Sequence, residues 1–520
     1  MSAAPSHSAD AITDHRGGLL FCLMLAVSLH TIDATIVNVA LPEMQGTLQA
    51  TFDQISWVVT TYIIAAVVLT PLVGWAANRF GVKRLMILSI SVFTLASVLC
   101  GLAVSLEAML AARILQGAAG APLIPLAMAT MNRLSIDSGD RARLMALFGL
   151  GTMAGPVLGP SLGGYITDVA TWRWVFFINL PVGIIGVIGL GLTMKKGLHM
   201  PGHKLNGIGF LSLAIAIGAL QLALDRGESE DWFESTEIVV YALIFLATAW
   251  IFAVNSRTSS RPFLPGSLFR DRNYMVGMIL VLVAAGNMTA SVVLQPPMMQ
   301  NLMGYPVLDT GMLLMWRGIG MMLGMMLTPR LTSLFSVRTL LILGGATMAA
   351  GIYPFIFLTT ETPAMVLAAP PVLHGFGIGI LFVIASTVAY ASISHELQVE
   401  ASSVFSLVRG LGQAASISIV VALVSRYSQI NHAELVERMT PLRAFTPKSI
   451  SVFGSPEAVQ QLAISNLMVS REAAMMAYNN AYMALFFAAL SVILTAFFVK
   501  IPSPAGKATE ESVPAHPVEA

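Results

Sequence analysis

Charge is what this chain has least of. Only 11% of its 520 residues are Asp, Glu, Lys or Arg, against roughly 25% in soluble domains, and so few cannot cover a surface that faces water. This scarcity excludes a multidomain soluble enzyme, a disordered chain and a nucleic-acid binder with a basic face as readings of the whole sequence. Cysteine is scarcer still. Cys22 and Cys100 both lie inside apolar runs, which excludes a secreted disulfide scaffold and suits buried thiols rather than a metal site. The chain also lacks a G-x-x-x-x-G-K-[S/T] loop, which disfavours transport driven by its own ATP hydrolysis.

What the chain has in abundance is hydrophobic length, at 56% apolar residues. A helix needs about 18 residues or more to cross roughly 30 Å of hydrocarbon. Fourteen stretches qualify: 17–40, 52–74, 83–103, 106–131, 142–165, 172–194, 206–225, 236–255, 273–302, 309–329, 337–358, 364–390, 400–428 and 476–500. The pattern predicts an all-α membrane protein crossing the bilayer fourteen times. The first run is too long for a signal-peptide core and has no small-residue cleavage site behind it, so it is expected to remain as an anchor.

Basic residues fix the expected orientation. With the N-terminus cytoplasmic, 18 of the 28 Lys and Arg residues fall on that side and six on the other, with Arg113, Arg317, Arg409 and Arg426 inside spans. Short basic loops stay in the cytoplasm, so both termini are expected there. A faint internal repeat aligns Gln116-Gly117 with His374-Gly375 at an offset of 258, and Phe148, Leu150 and Gly155 with Phe405, Leu407 and Gly412 at 257. Two six-helix bundles, 17–194 and 273–500, would then flank an inserted two-helix region, 195–272, between tails at 1–16 and 501–520. The last of these is expected to be disordered. An external loop is expected at 429–475, whose segment from 456 permits an amphipathic surface helix. Parallel six-helix repeats suit an alternating-access transporter with its substrate site between the halves.

Motifs carry a more specific resemblance. GWAANRFGVKRLMI, residues 74–87, resembles the loop motif of the major facilitator superfamily, with Gly74, Arg79, Gly81, Lys83 and Arg84 in place and Asn78 where the family pattern allows Asp or Asn. Gly74 would let two helices approach and Gly81 would permit a tight turn, while the missing acid puts a charge relay at this gate in doubt. The basic residues also read simply as topology signals. GLGTMAGPVLGPSLGG, residues 149–164, is similar to the antiporter motif of the drug-exporting branch. Its six glycines allow close helix packing and its Pro156 and Pro160 a bend, with Gly155 and Gly159 as contact points. LHTIDATIVNVALP, residues 29–42, looks like the first-helix motif of the fourteen-helix drug:proton antiporters, and LDRGESEDWF, residues 224–233, resembles a segment of the EmrB-like branch.

The resemblance implies a major facilitator fold with two six-helix repeats plus two inserted helices. It also implies a proton-coupled multidrug exporter in a bacterial inner membrane, with no cofactor. A periplasmic adaptor (EmrA-like) and an outer-membrane channel (TolC-like) would be the partners. A stand-alone, narrow-specificity metabolite or lipid exporter of the same fold is the alternative. An enzyme reading rests on GPSLG, residues 159–163, a formal nucleophile elbow at Ser161, but that motif needs a strand, a turn and a convergent base.

Site candidates follow from the difficulty of burying charge. Asp33 is the one carboxylate well inside a span, which marks it for proton coupling. Arg113 lies at a similar depth and is its expected partner, although a purely structural salt bridge would look the same. His30 sits one turn from Asp33 and suits either a relay or a packed histidine. For the substrate cavity the candidates are Gln116, Asn287, Gln295, Met298, Met299, Arg317, His374 and Arg409. Twelve methionines between 275 and 326 suit either an adaptable binding surface or lipid-facing and core packing.

Overall fold

The computed structural model describes residues 13, 15–195, 205–228, 230–260, 262–264, 266–394, 397–438 and 456–499, and among them it is helical with no strand. In chain order the long helices are α1 (Arg16–Thr47), α2 (Phe52–Leu69 continuing in Val73–Phe80), α3 (Val82–Leu102), α4 (Leu106–Gly120 and Leu123–Leu134), α5 (Ser138–Val169) and α6 (Trp174–Phe177 and Asn179–Thr193). Then come α7 (Gly207–Arg226), α8 (Thr236–Thr258), α9 (Arg272–Pro297 and Met298–Leu302), α10 (Val307–Leu334), α11 (Val337–Ile352 and Tyr353–Phe357), α12 (Ala364–Tyr390), α13 (Gln398–Arg438) and α14 (Pro456–Thr495). Thirteen of them are long and apolar enough to cross a membrane. The remaining expected span, 142–165, lies within the 32 residues of α5.

Helix starts follow local chemistry. Thr51 and Gln54 form a reciprocal capping box ahead of α2, and Asp137, Asn206, Asp271 and Ser336 cap α5, α7, α9 and α11. Each places a side-chain oxygen on an N–H that a helix start would otherwise leave unpaired. Gly81, at φ 83°, makes the turn from α2 into α3, a conformation that favours glycine.

The repeat is plain in the packing. α1 lies against α5 and α6, α2 against α4, and α3 against α4 and α6; eight helices later α9 lies against α13 and α14, α10 against α12, and α11 against α12 and α14. The halves meet through α5 on α10 and α12, and through α13 on α2 and α4. The inserted α7 packs on α2 and α13, where Thr60 Oγ1 donates to Asp225 Oδ2 at 2.5 Å. α8 packs on α7 and buries little of its own surface.

One expectation needs correction. The segment 429–475 is not a loop at either end, since α13 runs on to Arg438 and α14 starts at Pro456; residues 439–455 lie outside the described ones, as do 501–520. At 1.5 Å per residue the 41 residues of α13 reach about 60 Å, roughly twice the hydrocarbon thickness. His432 Nε2 meets Asn466 Oδ1 at 3.0 Å and Asn431 Nδ2 donates to the Ala473 carbonyl at 3.3 Å, so the two extensions run as a pair. The methionines also divide. Met312, Met315, Met322 and Met326 are exposed along one side of α10, whereas Met298 and Met299 are wholly buried.

Candidate functional site

Asp33 is wholly buried, and donors from two other helices are aimed at it. Arg113 Nη1 donates to Oδ2 at 2.8 Å, while Gln116 Nε2 and Asn179 Nδ2 donate to Oδ1 at 2.8 and 2.7 Å. Three helices thus converge on one carboxylate: α1 supplies the acid, α4 the cation and an amide one turn apart, and α6 a second amide. Arg113 is held in turn by the Val58 carbonyl at 2.9 Å and by Gln116 Oε1 at 2.7 Å, with its guanidinium 4.1 Å above the Tyr62 ring. Asn179 also donates to Ser97 Oγ at 2.9 Å. Burying a charge pair is tolerable when its hydrogen-bonding capacity is largely met, and here both carboxylate oxygens are satisfied while only Nη2 of Arg113 lacks an acceptor.

Gln116, expected at the substrate cavity, is bound into the carboxylate cluster, its amide shared between Asp33 and Arg113. His30 does not touch Asp33. Its Nδ1 meets Tyr62 Oη at 2.8 Å, and that ring lies beneath Arg113, so Tyr62 stands between the histidine and the ion pair. Sequence reasoning missed Tyr62 and Asn179. Asn179 left a signal, being a lone amide in the apolar run of the sixth span; Tyr62 left none, since its aromatic body suits lipid or core equally.

The second half has a polar cluster of its own. Asn287, on α9, meets His374 Nε2 on α12 through its Oδ1 at 2.8 Å, and His374 is the repeat counterpart of Gln116. Asn287 Nδ2 donates to the Leu485 carbonyl of α14 at 2.9 Å. Arg317 of α10 hydrogen-bonds Gln295 of α9. Asn287, Gln295, Arg317 and His374 are all buried, whereas Arg409 is half-buried on α13.

Close packing joins α1 to α5. A Cβ at Gly155 would lie 2.1 Å from the Thr31 carbonyl oxygen, and one at Gly159 would lie 2.1 Å from Thr35 Oγ1. Thr35 Oγ1 itself donates to the Gly155 carbonyl at 2.9 Å. Pro156, Pro160 and Ser161 belong to the same uninterrupted helix, and their side chains lie outside the described residues. The strand and sharp turn of a nucleophile elbow are replaced there by helix.

At the end of the bundle where α2 meets α3, the halves touch. Asn78 Nδ2 donates to Glu400 Oε1 of α13 at 2.6 Å, and a Cβ at Gly74 would meet Glu400 Cγ at 2.9 Å. The acid absent from position 78 is supplied by the opposite half. Arg141 Nη1 donates to the Tyr390 carbonyl at 3.2 Å and Phe148 stacks on Phe382, also across the halves. Lys83 donates to the carbonyls of Gly191, at 2.7 Å, and of Met194, satisfying orphan acceptors at the end of α6. Arg79 and Arg84 are exposed.

Residues 23–417 match the sequence profile of the Major Facilitator Superfamily. The chain is 30% identical over 478 residues to the multidrug export protein EmrB of Haemophilus influenzae, covering 89% of this chain and 91% of that protein. It is 32% identical to the probable multidrug resistance protein EmrY of Escherichia coli, over 81% and 83% of the two chains. Among solved structures, the human organic anion transporter MFSD10 shares the fold with a TM-score of 0.60 at 14% identity, over 92% of this chain and 99% of that one.

Proposed function

The chain belongs to the major facilitator superfamily and to its EmrB-like branch, and from that premise we propose that it exports amphipathic toxic compounds in exchange for protons. The observation that carries this reading is Asp33, a fully buried carboxylate bound by donors from two other helices. Protonating it removes the charge that holds Arg113 and loosens α1 from α4 and α6 together, so the protonation state and the helix arrangement are linked. One charge crossing 100 mV supplies about 2.3 kcal/mol. The basic loops support an inner-membrane orientation with both termini cytoplasmic, which makes the Asn78–Glu400 contact a closure of the cytoplasmic face. Efflux of a dye panel from proteoliposomes, with and without a pH gradient, tests the reading; efflux indifferent to the gradient and to uncouplers would reject it.

The cytoplasmic closure yields its own expectation. Asn78→Asp fits the family pattern, yet here it sets a second carboxylate against Glu400. Two like charges about 4 Å apart repel by about 1 kcal/mol even in water. The cytoplasmic face should open several-fold more often, read as faster labelling of a cysteine placed between α2 and α13, and Glu400→Gln should reverse the effect. Unchanged labelling would mean that this contact does not hold the closed state.

The paired extensions of α13 and α14 support docking of a periplasmic adaptor and, beyond it, an outer-membrane channel. Ile464, Leu467 and Met468 share one side of α14 and are 45%, 69% and 63% exposed, beyond the length that a bilayer covers. Replacing Leu467 and Met468 with serine should lower efflux across the whole cell envelope while leaving proton-driven uptake into inverted vesicles intact. Equal loss of both would assign the extension to the transporter's own structure.

A further inference from the structure

Resting on the export reading above, we propose that the C-terminal half holds an anion site at Arg317, which takes the carboxylate or sulfonate headgroup of an amphipathic substrate. Arg317 is only 5% exposed, and among the described residues no carboxylate pairs with it. Its one hydrogen bond goes to the neutral Gln295, and its Nε and Nη1 are buried with no acceptor. An intramembrane cation in this condition is costly. Arg113, in the first half, has Asp33 at 2.8 Å, whereas among the described residues Arg317 has no such countercharge.

Among the described residues the surroundings offer further donors and no acid. Ser291 lies one turn from both Asn287 and Gln295 on the same side of α9, and its buried hydroxyl has no partner. The Tyr482 hydroxyl of α14 is likewise buried and unpartnered, and both Tyr482 and His374 lie within the field of Arg317. The helix carrying the guanidinium is pinned, since a Cβ at Gly375 of α12 would lie 2.1 Å from the Arg317 carbonyl. Arg317 lies ten residues into α10, so about 15 Å from the helix end, too deep for its head to snorkel to the interface. A ligand carrying one negative charge supplies the missing countercharge and takes up the idle N–H and O–H groups. The buried methionines Met288, Met298 and Met299 on α9 give the region a deformable apolar lining suited to a tail.

The full-length protein in phosphatidylcholine nanodiscs tests this with two fluorescent probes of one shape, 1-pyrenebutyrate and its neutral amide. Binding to empty nanodiscs is subtracted. Wild type should bind the acid about ten-fold more tightly than the amide, the size of a charged hydrogen bond. Arg317→Gln should bring the ratio close to one, and Arg317→Lys should recover part of it. Should Arg317→Gln fail to fold, the double variant Ser291→Ala, Tyr482→Phe is read instead and should lower the ratio. Equal binding of acid and amide by wild type, or a ratio untouched by a folded variant, overturns the proposal. Adding phosphatidylglycerol separates the two sources of an anion: collapse of the ratio would assign the site to a lipid headgroup and overturn its role in substrate binding. Ethidium export by wild-type proteoliposomes down a pH gradient is measured alongside, so that failure of the export reading is seen separately.

Discussion

Asp33→Asn should abolish pH-driven export while leaving the protein inserted and folded. Asparagine keeps the shape and can still accept from Gln116 and Asn179, but it cannot take up a proton. At 100 mV one coupled charge sustains a gradient of about 50-fold, and the variant should sustain none. Arg113 would be left without its countercharge, a loss that in buried pairs costs about 3 to 5 kcal/mol, so the single variant should melt at a lower temperature. Adding Arg113→Gln removes the unpaired charge and should recover stability without recovering coupling. That divergence is the decisive measurement. If the doubly neutral protein still exports in response to a pH gradient, the ion pair is only structural and proton coupling lies elsewhere.

Gly155→Leu and Gly159→Leu should stop transport for a different reason. The Cβ of any residue at these positions would sit 2.1 Å from Thr31 O and from Thr35 Oγ1, and neither α1 backbone nor a hydrogen-bonded threonine can give that much. Overpacking of this kind typically costs about 1 to 3 kcal/mol or more, and it forces α5 away from α1 in whatever state brings them together. Flux should fall at least about five-fold, by the relation between free energy and rate. Gly164 provides the control, because a Cβ there would meet only Val39 at 4.0 Å, so Gly164→Ala should transport normally. Gly412 is the counterpart in the second half, with a Cβ 2.5 Å from the Leu282 carbonyl, and its leucine variant should share the defect. Normal flux through Gly155→Leu would remove the α1–α5 contact from the transport cycle.

The spans were legible because hydrocarbon thickness imposes a length that few soluble segments imitate. The helical ends beyond it were not: from 429 to 438 the sequence is polar enough to read as loop, and outside the bilayer nothing requires a continuous apolar run. Asp33 and Arg113 could be matched by depth alone. Their facing could not, since it depends on how α1 and α4 rotate against each other. The repeat was visible at Gln116 and His374, yet the meeting of His374 with Asn287 was not, since it depends on how α9 and α12 rotate against each other. Glu400 was invisible as a partner of Asn78 for a simpler reason, since 322 positions of chain separate them.

α13 bears Glu400 two residues from its start, Arg409 and Gly412 about a third of the way along, and the paired extension at its far end, all on one continuous helix. It is therefore a lever about 60 Å long, with a fulcrum where Gly412 presses on α9. About that point a tilt of about 10° moves Glu400 by roughly 3 Å and the far end by roughly 7 Å, enough to part Asn78 from Glu400. The same tilt swings the outer arm the opposite way. Any partner clamped to that arm would feel the inner gate open, and by clamping harder would resist it.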